Sequence, residues 1–172
     1  MNWFKESSNN DFIVKIKKIL KAHPFTKALT EYYNISPSDI DSHLEIEIAD
    51  LDGKYAEGNG RIIRLNKKMI NEDFFTGNFH FVIHEFFHWL KRRSEDKFYF
   101  NDPEEIQSFV LQMAWEIVSG RSAEEVKCKM HPVIKSHFKN NEQKFNMVFK
   151  EMLEKAIYLA NIYEKEKNFS MI

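Results

Sequence analysis

Cysteine is almost missing from this 172-residue chain, Cys128 being the one thiol. A lone cysteine excludes an intramolecular disulfide and a multi-cysteine zinc ribbon, and it points to a reducing, cytoplasmic setting. Glycine and proline are scarce too, at five and four residues, while phenylalanine reaches 16. That balance excludes a low-complexity or disordered chain. No long apolar run is present. The most apolar stretch, residues 79–90, contains histidines and Glu85 and is too short to cross a bilayer, so no membrane span is expected. Met1-Asn2-Trp3-Phe4-Lys5-Glu6 turns polar at once, which is not the pattern of a secretory signal. Charge of one sign is lacking as well: 25 basic against 26 acidic residues leave a net charge of −1. No electrostatic case for a nucleic-acid or membrane partner follows. The densest basic run, Lys15 to Lys21, alternates its lysines with Phe12, Ile13, Ile16, Ile19 and Leu20. It reads as an amphipathic helix with a solvated basic face.

What is present is enough apolar material, 43% of residues, for one sizeable core. With no repeat and no linker, a single continuous domain over 1–172 is expected. Helices are predicted over 10–22, ended by His23-Pro24, and over 25–33. After Ser36-Pro37-Ser38, the segment Leu44-Glu45-Ile46-Glu47-Ile48 alternates as a half-buried strand does. Asp52-Gly53 and Gly58-Asn59-Gly60 mark turns. Residues 61–65 form a second strand, expected at an edge guarded by its arginines. Further helices are predicted from 78 to about 92, and from an Asp102 N-cap with Pro103 at the first helical position as far as Gly120. Another starts at the Ser122–Glu125 capping box and is interrupted at His131-Pro132. The last carries Phe145, Phe149, Met152, Ala156, Leu159 and Tyr163 on one core-facing stripe. Cys128 reads as a small buried hydrophobe. The sum is an α+β fold, a short sheet among five or six helices.

Chemistry concentrates at His84-Glu85-Phe86-Phe87-His88, an H-E-x-x-H sequence inside a predicted helix. On a helix His84 and His88 stand one turn apart and project the same way, as two ligands of one metal must. Glu85, rotated by about 100°, leaves that axis and is free to take a proton from an attacking water. With seven histidines in the chain, such a spacing seldom arises by chance. His80 lies two turns from His88, too far to share one metal with both, and reads as a packed or exposed histidine.

A catalytic zinc needs a third protein ligand and an open fourth position. The helix after Asp102 is the best source. Its apolar face is Ile106, Phe109, Val110, Met113 and Ile117, and wheel arithmetic places Glu104 roughly opposite. Glu105 falls on the flank, with Glu116 on that flank three turns on. Asp102-x-x-Glu105 is also capping-box spacing, so Glu105 reads as ligand or as cap, with Glu104, Glu116 and Asp102 as other carboxylates to weigh.

The order of strand, H-E-x-x-H helix and glutamate on a following helix resembles gluzincin-type zinc metallopeptidases. The small intracellular minigluzincins and ImmA/IrrE-like peptidases are nearest. In the latter the ligand glutamate lies in E-A-N-x-F-A, and Glu105-Ile106-Gln107-Ser108-Phe109-Val110 shares the glutamate and the phenylalanine. The likeness spans about 44–118, with helical flanks at 1–40 and 121–168. It departs at Phe86-Phe87, Ile106 and Ser108. The resemblance implies a small zincin-like domain, zinc as cofactor, His84, His88 and Glu105 as ligands, and Glu85 as catalytic base. By the same likeness a downstream His131 or Tyr99 is a candidate for stabilising the transition state.

The function expected is therefore zinc-dependent hydrolysis of a peptide or protein substrate, with Glu85 as general base. Two other readings stand beside it: a latent, zymogen-like peptidase blocked by its own flanking helices, and a non-catalytic zinc-containing binding or regulatory module. Oligomeric state is not written in the sequence.

Overall fold

His23-Pro24 divides the first two helices as its chemistry requires. In the computed structural model, which describes residues 3–58, 60–71, 73–93, 103–136 and 142–169, α1 (Trp3–Ala22) ends there and α2 (Pro24–Tyr32) begins. His23 caps α2, its Nδ1 accepting the Phe25 N–H at 3.2 Å. Then come α3 (Pro37–His43), β1 (Glu45–Ala49), β2 (Ala56–Gly58), β3 (Ile62–Asn66), α4 (Phe79–Arg93), α5 (Glu104–Val118), α6 (Ala123–Lys135) and α7 (Glu142–Phe169). The protein is mixed α+β and mostly helical. None of the described helices is long and apolar enough to cross a membrane. The chain divides into two compact units, Met1–Lys97 and Phe98–Ile172, and the stretch 44–118 runs through that division.

In the first unit α1 packs on α2, α3 and β1, burying Ile16 and Leu20 completely. Its basic face is only partly left to water. Lys21 pairs with Asp41 at 2.7 Å, and Lys15 Nζ lies 4.0 Å over the Phe75 ring. Helix α3 occupies a stretch, 37–43, to which no element was assigned from the sequence. Ser36 and Asp39 close a full capping box around it, with Pro37 in the first turn.

The sheet order is β1-β3-β2, with β1 parallel and β2 antiparallel to β3. The segment predicted as a guarded edge is therefore the central strand. Arg64 does not shield an edge; it bridges the outer face, reaching Glu47 of β1 at 3.0 Å and Glu57 of β2 at 3.5 Å. The edge strand next to β3 is β2, which forms from Ala, Glu and Gly because β3 offers it a ladder. Ile63 and Leu65, fully buried, turn the other face of β3 toward α4, which packs on both β2 and β3. A π-helical turn, Phe74–Asn78, leads into α4.

In the second unit α6 and α7 both pack on α5. Pro103, with no side-chain cap bond, takes the N-cap position of α5, one residue beyond the expected Asp102. Gly120 follows the helix with φ +100°, the left-handed turn that glycine adopts without strain. The Ser122–Glu125 capping box opens α6 as predicted. The helix is not interrupted at His131-Pro132 but continues to Lys135 with Pro132 inside it. Cys128 is exposed, because the buried line of α6 is Val126, Met130 and Ile134 and position 128 lies about 200° from Val126. In α7 the buried stripe is Phe145, Phe149, Met152, Ala156 and Ala160, with Leu159 at its margin.

Candidate metal centre

The two variable residues of the motif set its orientation. Phe86 and Phe87 are both fully buried; Phe86 stacks on Trp89 at 5.6 Å and Phe87 meets Tyr33 edge-on at 6.2 Å. Helical geometry then leaves Phe81, His84, Glu85 and His88 half-buried along one open stripe. Two buried phenylalanines, at roughly 2–3 kcal/mol each for the area removed from water, hold that rotation.

His84 Nε2 and His88 Nε2 lie 3.3 Å apart. Two imidazole nitrogens bound to one tetrahedral zinc at about 2.0–2.1 Å stand about 3.3–3.4 Å apart. The pair therefore has the separation that the ion requires, and neutral imidazole nitrogen is a normal zinc donor. Glu85 extends from the same open stripe toward Gly58, the last residue of β2, whose missing side chain leaves room for the carboxylate. One turn before His84, Phe81 stacks with the half-exposed Tyr55 ring at 4.8 Å. An aromatic ledge thus adjoins the histidine pair at the β2 end of the stripe. His80, by contrast, is buried with its ring 4.1 Å from Phe81.

The remaining candidates are in the second unit. Glu105 is exposed in the first turn of α5, and Glu104 beside it is half-buried. Glu116 is buried to 2% exposure and committed elsewhere: its Oε2 pairs with Arg121 at 2.5 Å and with Lys129 at 2.9 Å. Burial pushes the Lys129 ammonium below its ordinary value, opposed by the Glu116 carboxylate. His131 lies within α6, its ring edge-on to Phe145 at 4.9 Å and to Phe149 at 5.1 Å. Tyr99 and Asp102 lie outside the described residues.

The structure thus brings together His84, Glu85 and His88, and adds Gly58, which in the sequence marks only a turn. Its one signal in the sequence is the Gly58-Asn59-Gly60 triplet. Against protein-family models, characterised proteins and solved structures, the chain shows no match.

Proposed function

We propose that the protein is a zinc-dependent metallopeptidase of gluzincin type, hydrolysing peptide bonds in a peptide or protein substrate in the cytoplasm. The observation that carries this reading is the 3.3 Å Nε2–Nε2 separation on a half-buried helix face, with Glu85 beside the pair. His84 and His88 would hold the ion, with Glu105 as third ligand on the strength of the resemblance. When bound, zinc would polarise the scissile carbonyl and lower the pKa of the attacking water to about 7.

The rest of the chemistry belongs to the chain. Glu85 takes the proton of the attacking water and later delivers it to the leaving amine. Edge strand β2 offers the backbone of Ala56–Gly58 as a template on which an extended peptide adds a strand, leading it past Glu85. The Tyr55–Phe81 ledge gives that peptide an apolar surface one turn from His84.

The test is cleavage of a mixed peptide pool, read by mass spectrometry, with zinc-loaded protein and its Glu85→Gln variant. The variant keeps the shape of the side chain and removes the base. The wild type should cleave, and the variant should retain zinc and fold while losing about 10²–10⁴-fold in rate. A variant that cleaves at the wild-type rate contradicts the mechanism.

A further inference from the structure

Gly58 ends β2 and Gly60 lies just before β3, and only Gly60 has a backbone that demands glycine. Gly60 has φ +76°, a left-handed conformation, and a Cβ there would strike the Arg92 side chain, so both backbone and space demand glycine. Gly58 is different. It is an ordinary strand residue in register with Ile63, and its φ lies outside the left-handed range. Nothing in its backbone requires glycine. Its surroundings do: a Cβ at Gly58 would fall 2.5 Å from Glu85 Oε2, 3.5 Å from Glu85 Cδ and 3.6 Å from Glu85 Cβ. Register explains the direction. Ile63 and Leu65 face inward, and their partners Gly58 and Ala56 share that face, toward α4.

We infer that Gly58 is a positioning residue for Glu85, its missing side chain letting the carboxylate stand against the edge-strand backbone. The inference rests on the reading of Glu85 as the general base. The contact is with the tip of a flexible side chain, so an alanine at 58 is accommodated by swinging the carboxylate away, by about 1 Å to reach van der Waals distance, and not by opening the sheet. A displacement of that size at a reacting group costs about 100-fold in rate. The missing side chain of Gly58 therefore bears on the chemistry through the place it leaves for Glu85.

Two measurements on the full chain test this. The first needs no metal and compares thermal midpoints in a double-mutant cycle. Gly→Ala at an extended position ordinarily stabilises, by narrowing the unfolded ensemble. Gly58→Ala should therefore raise the midpoint in the Glu85→Ala background, and raise it less, or lower it, when Glu85 is present. Equal shifts in the two backgrounds overturn the contact. If Gly58→Ala alone does not fold, adding Glu85→Ala should restore folding, and continued unfolding also overturns it.

The second measurement is acetohydroxamate binding to zinc-loaded protein by calorimetry, since a zinc-chelating hydroxamate also shares a proton with the base. Gly58→Ala should keep its zinc and bind the probe at least about tenfold more weakly, while Gly58→Ala with Glu85→Gln should bind no worse than Glu85→Gln alone. Wild-type affinity in Gly58→Ala, or an additive loss in the double variant, overturns the positioning role. A wild-type chain that takes up no zinc defeats the peptidase reading instead, and the stability cycle still decides the contact.

Discussion

His84 Nε2 and His88 Nε2 stand 3.3 Å apart on the open stripe of α4, while Phe86 and Phe87 between them are wholly buried. The same four-residue spacing thus does two jobs. Its apolar pair anchors the helix, and its polar residues are presented as a group.

The third ligand is open to direct test. Glu105→Ala should lower zinc affinity much more than Glu104→Ala. Glu116→Gln should leave it unchanged, because that carboxylate is already held by Arg121 and Lys129. Competition with a chromophoric chelator on the folded variants measures all three. Zinc loss in Glu104→Ala with none in Glu105→Ala contradicts the assignment.

The Glu116 clasp predicts an asymmetry in stability. Arg121 and Lys129 are 35% and 27% exposed at their side chains, against 3% for Glu116. Removing both cations strands a buried carboxylate and should cost about 3–5 kcal/mol. Glu116→Gln should cost clearly less, since the half-exposed cations can turn to water. Urea unfolding of the two variants compares them, and an equal loss contradicts the clasp as described.

Ser122→Ala removes the N-cap of α6 and should cost about 1 kcal/mol at pH 7. Ser122 backbone and side-chain hydrogen bonds, the backbone bond foremost, hold the Glu125 carboxyl below its ordinary value of 4.5. A depressed carboxyl contributes stability above its unfolded pKa and loses it as pH falls through the lower, folded value. The gap between wild type and Ser122→Ala should therefore hold from neutral pH down to about 4.5 and narrow below it. Urea midpoints from pH 7 to pH 3 check this; a gap that widens in acid contradicts it.

Much of this architecture is legible in local chemistry. The Ser122–Glu125 box, the His23-Pro24 break and the alternation of Glu45 to Ile48 each set an element directly. H-E-x-x-H could be placed on a helix because 3.6-residue periodicity surrounds it. Helix α3 had a readable signal in Ser36-Pro37-x-Asp39, which is a capping pattern on a helix too short to show periodicity. Strand β2 had none. Ala56, Glu57 and Gly58 have little strand propensity, and only pairing with β3 makes them a strand. That pairing also moved Arg61–Leu65 from edge to centre. Gly58 was hidden for the same reason, because its value lies in a contact across the chain to Glu85.

A zinc site on α4 would show first in the metal content of the protein. After exhaustive dialysis against trace-metal-free buffer, elemental analysis should find about one zinc per chain in the wild type. His84→Ala and His88→Ala, shown by circular dichroism to be folded, should each hold far less. A folded His84→Ala or His88→Ala protein with as much zinc as the wild type would contradict the account.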